Sequence, residues 1–372
     1  MKKRIIQFFA SKTWGGGEQF VYDLSKELMA DDYEVVFASH KSNVIKQKVS
    51  ELRTIKGEQP LYYQIGRGFN PLSVLKFLRI VLKFNPDIVH THSHDEAHTA
   101  LQARAIARLL GRDYKVIMTR HLYRKHSTGL KYRYIYKQLD RLVFVAEATR
   151  RVFMSGIKQE GVKEKSCVIL NSRPEVVEIP EIDIRKELNL SSDVVIFMYC
   201  GRVTEEKGIL PLLEAVKRVP EKNIVLLLVG AMDNKIAQIV QSQVEGDLLG
   251  RVLLLGFRND VPSLIKACDV CVQPSIVAEA GSLSVIESMQ YSKPLIASNN
   301  GSQSEFIDNG INGILIAPND VVALSANMSL LANDVELRKK IGNASYKKYK
   351  ETLSWKQFVD KYKALYESLL SK

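Results

Sequence analysis

Apolar residues in the first 150 positions alternate between runs of strand length and stretches with helical spacing. The runs that predict β-strands cover 3–10, 34–39, 87–91, 115–120 and 141–146. Apolar residues recur every three to four positions over 18–30, 71–84 and 97–110, which is typical of helices. Strands that alternate with helices predict a parallel sheet covered by helices on both faces.

A second alternating series follows an interruption. Pro174 and Pro180, with glutamates around them, break both periodicities over 171–180 and predict a linker. Two pairs with the spacing of an N-cap and its third helical residue, Asn333 with Glu336 and Ser354 with Gln357, predict helix starts. The apolar stripe of the last helix indicates that it packs against protein. Strands are predicted at 194–200, 224–229, 251–255, 269–273, 294–297 and 313–316, and helices at 210–219, 235–244, 283–290 and 355–370.

These patterns predict an α/β protein with two domains, 1–173 and 174–353, and a final segment 354–372. The 372 residues, of which 46% are hydrophobic and 25% charged, are enough for two cores. The basic start MKKRIIQFFA resembles a secretory signal, but its apolar run is too short. No stretch approaches the ~20 apolar residues that span a bilayer, so we expect a cytosolic protein.

Positive charge is concentrated in the first half of the chain. Residues 1–175 hold 31 Lys and Arg against 17 Asp and Glu, whereas 176–372 hold 22 against 24. Basic residues interleaved with tyrosines over 120–141 suit an anionic partner, either a membrane leaflet or nucleic acid. A solvated basic helix with no partner is the alternative. The basic residues singled out are Arg120, Arg124, Lys125, Lys131 and Arg133.

The segment 274–298 brings two carboxylates, small residues and a predicted helix start together. A helix beginning near Ser282 would offer free backbone N–H groups to a phosphate, and Gly281 would allow close approach. Glu287 inside the helix can accept hydrogen bonds from a ribose, and Glu279 before it can hold sugar hydroxyls. This pattern indicates a nucleotide-sugar site. The alternative is that Glu279 only caps the helix and Glu287 is a solvated surface residue.

Two further loops carry ligand-binding chemistry after strands. Arg202 and Lys207 follow the strand 194–200 and can neutralise a diphosphate. Gly15, Gly16 and Gly17 follow the first strand, where dinucleotide folds place a phosphate turn, and we expect the helix to begin at the next residue, 18. A flexible turn is the alternative for these glycines.

Histidines follow two strands of the first half. His90, His92 and His94 have an alternating spacing that a metal site could use, but no cysteine or carboxylate cluster supports one, and we favour His121 as a substrate contact. A CxxC at 268–271 lies inside an apolar run, which favours core packing over metal or redox chemistry.

Together these motifs resemble the retaining glycosyltransferases of family 4, which have the GT-B fold. The resemblance extends from Lys3 to about Lys350. Three positions depart from the family pattern, Ala280, Ser282 and Asn300, and since the replacements are small we expect an active enzyme. The motifs are Gly15-Gly16-x-Glu18, Gly201-Arg202 with Lys207-Gly208, Pro274-Ser275, Glu279-x7-Glu287 and Asn309-Gly310-x-Asn312-Gly313.

The resemblance implies two facing Rossmann-like domains, with a nucleotide sugar in the cleft and the C-terminal helix crossing back to the first domain. It implies that the first domain binds the acceptor and the second the donor. It also implies a front-side retaining transfer without metal or cofactor. The implied catalytic residues are His121 and Glu279 at the sugar and Arg202 and Lys207 at the diphosphate, with Gly15, Gly16, Phe257, Arg258, Gly281, Ser282, Leu283 and Glu287 as further donor contacts.

The expected partners are a UDP or GDP sugar and a glycan or lipid-linked acceptor of bacterial lipopolysaccharide, capsule or related polysaccharide. The basic segment would then associate with the inner face of the plasma membrane, and no nucleic acid is expected. Two alternatives stay open from the sequence. One is an epimerase or phosphorylase on the same fold, and the other is a non-catalytic protein that binds anionic surfaces.

Overall fold

The structure is a computed structural model that describes residues 2–9, 15–31, 33–39, 43–52, 60–64, 71–155, 157, 161–176 and 178–371. The chain divides into two compact units. Unit 1 is Met1–Leu170 with Lys356–Lys372, and unit 2 is Asn171–Trp355.

Unit 1 contains a seven-stranded parallel sheet in its described part. Its strands are β1 (Lys3–Phe9), β2 (Tyr33–Ser39), β3 (Tyr62–Gln64), β4 (Ile88–Thr91), β5 (Lys115–Arg120), β6 (Arg141–Phe144) and β7 (Ser166–Val168). The strand order is β3-β2-β1-β4-β5-β6-β7, so the order reverses beside β1, as in Rossmann-like folds. The helices between the strands are α1 (Gly16–Met29), α2 (Asn43–Glu51), α3 (Pro71–Phe84), α4 (His94–Leu109), α5 (Leu130–Gln138) and α6 (Glu147–Met154).

Unit 2 contains a six-stranded parallel sheet. Its helices are α7 (Ile184–Glu187), α8 (Ile209–Arg218), α9 (Asn234–Glu245), α10 (Val261–Ala267), α11 (Leu283–Gln290), α12 (Gln303–Phe306), α13 (Val321–Asn333) and α14 (Val335–Lys348). Its strands are β8 (Val195–Cys200), β9 (Ile224–Val229), β10 (Val252–Gly256), β11 (Val270–Gln273), β12 (Leu295–Ser298) and β13 (Ile314–Ile316). They lie in the order β10-β9-β8-β11-β12-β13. A 3₁₀-helix, Glu205–Lys207, and a π-helix, Tyr349–Leu353, complete the unit.

The C-terminal helix, α15 (Trp355–Leu370), lies almost wholly in unit 1. Phe358, Tyr362 and Tyr366 belong to its buried stripe, and Phe20 of α1 packs edge-on against the first two rings. The Tyr366 hydroxyl lies 2.9 Å from His90 Nδ1. These contacts confirm that the stripe packs against protein.

The predicted α/β class with two Rossmann-like parallel sheets is confirmed. The predicted strands lie within two residues of their observed bounds where they are described, and the elements predicted at 71–84, 115–120, 224–229 and 283–290 have the observed bounds. Of the predicted glycine loop, 11–14 lies outside the described residues. Helix α1 begins at Gly16, two residues before the predicted start. Cys268 and Cys271 are buried, as core packing of the CxxC requires.

One of the two predicted helix starts is wrong by one residue. Asp334, not Asn333, is the N-cap of α14, and its side chain accepts a hydrogen bond from the Leu337 N–H at 2.8 Å. Asn333 is the last residue of α13, and its amide donates to Glu221 instead. Both residue types suit an N-cap, so the sequence pattern alone did not separate them. The other start is confirmed, since α15 begins directly after Ser354.

Candidate active site

Three loops of unit 2 that hold predicted site residues follow strands that are neighbours in one sheet. Strands β8, β11 and β12 lie side by side. The loop 201–208 follows β8, 274–282 follows β11 and 299–302 follows β12. Since the carboxyl ends of parallel strands meet at one edge of the sheet, the fold gathers these loops there.

Backbone contacts clamp the first two loops together. The Glu206 carbonyl accepts hydrogen bonds from the N–H groups of Ile276, at 2.9 Å, and Val277, at 3.3 Å. Beside it, Gly208 has a left-handed backbone with φ of 73°, and a Cβ there would lie 1.9 Å from the Pro274 carbonyl oxygen. Glycine is therefore required for this close approach. The clamp fixes the backbone on either side of residue 207.

Lys207 and Glu279 form an ion pair between these two loops. Lys207 Nζ lies 2.5 Å from Glu279 Oε1, and Ser275 Oγ donates to the same carboxylate oxygen at 2.5 Å. The two charged side chains are 22% and 16% exposed, so the pair is largely desolvated. The two charges come from separate sequence motifs, and the fold brings them into contact. Ser275 entered the prediction only as a member of a motif, without a contact of its own.

The backbone of Glu279 is held by the third loop. Glu279 and Gly301 form an isolated parallel β-bridge, and the Ser302 N–H donates to the Glu279 carbonyl at 2.9 Å. Gly301 has φ of 64°, and a Cβ there would lie 2.2 Å from the Glu279 carbonyl oxygen. Asn300, one of the departures from the family pattern, donates its amide to the Ile276 carbonyl at 2.6 Å. The altered loop therefore supports Glu279 through its backbone.

Helix α11 begins directly after the loop that carries Glu279. Ser282 is its N-cap but makes no side-chain capping bond, and its hydroxyl lies 3.0 Å from that of Ser284. The N–H groups of Leu283 and Ser284 donate to no other residue in the described part of the chain. Asn171 donates its amide to the Gly281 carbonyl at 3.1 Å and so holds the turn. These N–H groups and the positive end of the helix suit an anion.

Glu287, in the second turn of α11, is paired with an arginine that the sequence motifs do not include. Arg173 Nε lies 2.9 Å from Glu287 Oε1, and each side chain is 20% exposed. The Arg173 carbonyl accepts a hydrogen bond from Gln290 at 2.7 Å, which ties the start of unit 2 to the same helix. Arg173 lies in the predicted linker, where a single arginine beside a proline gives no signal of a partner.

Arg202 has an exposed side chain that forms no ion pair or hydrogen bond with the described residues. Its carbonyl accepts a hydrogen bond from the buried Tyr199 hydroxyl at 2.7 Å. Burial raises the pKa of Tyr199, so this hydroxyl stays a donor. The tyrosine therefore anchors the backbone of Arg202 and leaves its guanidinium available to a ligand.

Phe257 and Arg258 follow β10. The Phe257 ring is exposed, whereas the Arg258 guanidinium already has carboxylate partners. Phe257 is 74% exposed. Arg258 is bound by Asp260 and Glu187, with closest distances of 2.7 Å to each, and these hydrogen bonds raise its pKa. A ligand at this place would thus meet an open aromatic ring and an arginine that already has two carboxylate partners.

In unit 1, His121 follows β5 and belongs to a chain of polar side chains. His92 Nδ1 lies 3.1 Å from His121 Nε2, and His92 Nε2 lies 3.1 Å from Gln7 Oε1. Burial lowers the pKa of His121 to about 4 and also lowers that of His92, so both rings are neutral near pH 7.

The glycines of the first loop lie at the start of α1. Gly15 is the N-cap, and both it and Gly16 are exposed. Gly17 lies beside the ring of His121, where a Cβ on the glycine would be 3.9 Å from the imidazole. The helix start and the predicted histidine are therefore neighbours within unit 1.

The alternating histidines after β4 have separate partners. His90 contacts Tyr366 and Thr119, the latter at 2.7 Å, and His94 lies 2.9 Å from the Tyr136 hydroxyl. Among the described residues, no three His, Cys, Asp or Glu side chains are grouped in a way that could hold a metal ion.

The predicted basic face is wrong in one of its residues. Arg120 is only 7% exposed, its guanidinium lies 4.9 Å from the centre of the Phe153 ring, and burial lowers its pKa. It is the last residue of β5 and belongs to the interior. Lys131 lies 2.6 Å from Asp95. The remaining members of the predicted face are exposed, namely Arg124, Lys125 and Arg133. No helix in the described ranges is long and apolar enough to cross a bilayer.

Known proteins share this architecture. The "Glycosyltransferase Family 4" model matches residues 14–171, and the "Glycosyl transferases group 1" model matches residues 180–348. Among solved structures, that of HepE from Anabaena in complex with UDP has a TM-score of 0.83 with 18% identity, over 99% of this chain and all of the other. The two Rossmann-like parallel sheets and the two matched models define a glycosyltransferase of the GT-B fold.

Two named glycosyltransferases are similar to parts of this chain. The UDP-Gal:α-D-GlcNAc-diphosphoundecaprenol α-1,3-galactosyltransferase of Escherichia coli is 32% identical over 266 residues, 67% of each chain. The lipopolysaccharide 1,2-N-acetylglucosaminetransferase of Salmonella typhimurium is 29% identical over 148 residues, 37% of this chain and 39% of the other. The chain belongs to the family 4 glycosyltransferases.

Proposed function

We propose that this enzyme transfers a hexose, with retention, from a UDP-hexose to a lipid-linked glycan acceptor of a bacterial surface polysaccharide. The observation that carries the proposal is the ion pair of Lys207 and Glu279, which two clamped loops hold at the carboxyl edge of the unit 2 sheet. The pair places Lys207, a cation that can bind a diphosphate, beside Glu279, a carboxylate that can accept from sugar hydroxyls.

The ion pair keeps hydrogen-bonding capacity for a ligand. Lys207 donates one of its three N–H groups to Glu279. Lys207 and Ser275 both donate to the same carboxylate oxygen, Oε1. Glu279 Oε2 makes no hydrogen bond to the described residues and can accept from a sugar hydroxyl. In this proposal Lys207 turns its remaining N–H groups to the β-phosphate, and Glu279 binds the hexose beside it.

The transfer needs a stabilised leaving group. The bond between the anomeric carbon and the β-phosphate oxygen breaks, the acceptor hydroxyl oxygen bonds to the same face of that carbon, and its proton passes to the departing phosphate. The negative charge on UDP would be met by Arg202, by Lys207 and by the N–H groups that begin α11. Glu287 would bind the ribose, and Arg173 would orient its carboxylate.

The donor and acceptor classes are inferred from relatives. The Escherichia coli relative takes its sugar from UDP-Gal and acts on a diphosphoundecaprenol-linked sugar, as its name states, and the relative from Salmonella acts on lipopolysaccharide. Membership of the same family supports a UDP-hexose and a lipid-linked glycan here. A GDP sugar, the other predicted donor, is an outcome that the experiment can return.

The test combines donor binding with turnover. A thermal-shift panel of UDP-galactose, UDP-glucose, GDP-mannose and ADP-glucose should show stabilisation by a UDP sugar, about 2.7 kcal/mol at 100 times its dissociation constant. Release of UDP should depend on a polyprenyl-diphosphate sugar and be lost in Lys207→Ala and Glu279→Ala. Lys217→Ala and Glu214→Ala remove one partner each of ion pairs elsewhere in unit 2 and should retain activity. Stabilisation by GDP-mannose alone would overturn the proposed donor.

We further propose that a face of unit 1 lies on an anionic membrane. Arg124, Lys125 and Arg133 are exposed, and so are two leucines of the same segment, Leu122 at 59% and Leu130 at 83%. Leucines between cations suit the boundary of an anionic leaflet, where each Lys or Arg contributes about 1 kcal/mol.

Helix α3 supports the same proposal with an independent pattern. Leu72, Leu75 and Leu82 are 69%, 50% and 39% exposed and recur at helical spacing. The helix has no acidic residue, and its three basic residues are also exposed, namely Lys76, Arg79 and Lys83. Helix α3 packs on α4, and α4 on α5, so the α3 leucines and Leu130 belong to one helical layer.

Sedimentation with phosphatidylglycerol vesicles at low salt tests the membrane face. The wild-type protein should sediment with anionic vesicles and stay in the supernatant with phosphatidylcholine. Reversal of two charges in Arg124→Glu/Lys125→Glu or in Lys76→Glu/Arg79→Glu should weaken binding at least tenfold, on the order of the loss expected for two cations. Lys339→Glu/Lys347→Glu reverses two exposed charges in unit 2 and should not. Wild-type protein that stays in the supernatant would remove the proposal.

A further inference from the structure

Three side chains of unit 1 form a directional chain of hydrogen bonds that ends at His121. Gln7 Oε1 lies 3.1 Å from His92 Nε2, and His92 Nδ1 lies 3.1 Å from His121 Nε2. The three residues come from three neighbouring strands, β1, β4 and β5: Gln7 is within β1, and the histidines follow the other two. The chain therefore crosses three neighbouring strands of the sheet.

The amide oxygen of Gln7 determines which ring nitrogens of His92 and His121 carry protons. An amide oxygen only accepts, so His92 Nε2 must carry its proton. A neutral imidazole has one N–H, which leaves His92 Nδ1 as an acceptor, and His121 Nε2 must then donate to it. His121 Nδ1 is left with a lone pair, and it makes no hydrogen bond within the described part of the molecule.

The surroundings keep both rings neutral and in place. Gln7 is fully buried, and burial lowers the pKa of His121 to about 4. Phe20 packs edge-on against both imidazoles, with ring centres 5.9 Å from His92 and 4.8 Å from His121. The two imidazoles stack at 5.4 Å with 26° between their planes. Rotation of His121 out of this arrangement would break the bond and these contacts together.

We infer that Gln7 and His92 are positioning residues that hold His121 in its Nε2–H form, so that its Nδ1 accepts a hydrogen bond from a hydroxyl of a sugar substrate. The inference rests on the proposed function, a sugar transfer, and adds His121 as a residue that contacts a sugar. A neutral acceptor binds a hydroxyl and gives no charge attraction to a phosphate. His121 is therefore suited to orient a sugar rather than to bind a diphosphate.

The protonation state can be read without any assay of activity. In protein labelled with ¹⁵N-histidine, long-range ¹H–¹⁵N spectra at pH 7 should show His121 Nδ1 at the shift of an unprotonated nitrogen and Nε2 at that of a protonated one. His121→Gln assigns the signals. In Gln7→Leu the acceptor is gone, and both His121 nitrogens should move toward the average of the two forms. An Nδ1–H form in the wild-type protein, which the opposite orientation of the Gln7 amide would impose, overturns the inference.

Kinetics of the same variants test the consequence. Gln7→Leu should lower kcat about 10- to 100-fold, as loss of a residue that orients a histidine does, while affinity for UDP itself stays unchanged. Gln7→Glu supplies another oxygen acceptor to His92 and should restore the Nε2–H form and most of the turnover. Gln102→Leu removes a half-buried glutamine that contacts His98 in α4. It should change neither the tautomer of His121 nor kcat.

Failure of the inference differs from failure of the proposed function. If UDP sugars bind and react but Gln7→Leu turns over like the wild-type protein, the positioning role is wrong and the transferase stands. If no UDP sugar binds, the proposed donor is wrong. The tautomer of His121 then still tests whether Gln7 and His92 fix its protonated nitrogen.

Discussion

The backbone of Gly208 approaches the carbonyl of Pro274 so closely that a Cβ on residue 208 would lie 1.9 Å from the oxygen. Gly208 follows Lys207, and Pro274 begins the loop that carries Glu279. The absence of a side chain at one position thus decides whether the cation and the carboxylate of the ion pair can meet. Gly208 is part of the site although it offers no functional group.

Substitution of this glycine should disrupt the site. In Gly208→Ala the methyl group cannot coexist with the Pro274 carbonyl, and the left-handed φ of 73° adds strain. We expect a loss of about 3 kcal/mol or more in the free energy of unfolding, measured by urea denaturation, and a loss of UDP-sugar binding.

Gly250→Ala separates strain from close approach. Gly250 has φ of 74°, almost the same as Gly208, but no atom lies within 4 Å of the place where its Cβ would be. It should cost only about 1 kcal/mol and leave donor binding intact. Equal destabilisation by the two substitutions would mean that the contact with Pro274 contributes nothing.

Glu279→Gln should separate binding of the nucleotide from binding of the sugar. Glutamine keeps the shape of the side chain but removes the charge that holds Lys207 at 2.5 Å. Because Lys207 is then free for the diphosphate, affinity for UDP alone should stay equal or rise in calorimetry. Turnover of the UDP sugar should fall about 100-fold, as expected when a contact made in the transition state is lost. Weaker UDP binding with unchanged kcat would assign Glu279 to the nucleotide instead.

The periodicity of the chain predicted most of the fold. Strands such as β5 and β9 and helices such as α3 are long apolar patterns with a single period, and their bounds match the prediction. Short elements were missed, among them α7 and α12 with four residues each, because so few residues show no period. The capping residue of α14 was misplaced because two suitable residues, Asn333 and Asp334, are adjacent.

The candidate site was predictable where chemistry and position in the chain agree. Lys207 and Glu279 each follow a strand, and neighbouring strands bring them together. Arg173 and Gln7 were missed because their roles depend on contacts with residues far away in the chain. Arg120 was misread because its charge suggested a surface, whereas its place at the end of a central strand puts it in the interior.

Arg173 should matter for nucleotide affinity more than for chemistry. Arg173→Met removes the guanidinium that holds Glu287 at 2.9 Å, so the carboxylate loses its orientation toward a ribose. We expect Kd for UDP to rise about tenfold, about 1.4 kcal/mol, with kcat at saturation within about threefold of the wild-type value. Calorimetry and initial rates give the two quantities.

Arg185→Met is the matched control for this prediction. Arg185 pairs with Asp269 at 2.9 Å in the same unit, with each side chain 28% exposed, and Asp269 also accepts from the Ile196 N–H. This substitution should lower Tm without changing Kd for UDP. If both variants weaken UDP binding equally, the effect of Arg173 is general destabilisation.

Histidines with a lowered pKa in unit 1 should make the protein less stable as the pH falls. Burial lowers the pKa of His90 to about 3 and that of His121 to about 4, against 6.5 for an unfolded chain. Between pH 6.5 and these values the unfolded chain binds more protons than the folded one, so acid favours unfolding. Each histidine should contribute on the order of 1–2 kcal/mol of lost stability between pH 7 and 5, measured by urea denaturation.

Substitution of one buried histidine isolates its share of this pH dependence. His90→Gln cannot titrate, so its free energy of unfolding should fall less steeply between pH 7 and 5 than that of the wild-type protein, whatever its stability at pH 7. A His90→Gln slope equal to that of the wild-type protein would show that His90 is not a group whose protonation drives unfolding.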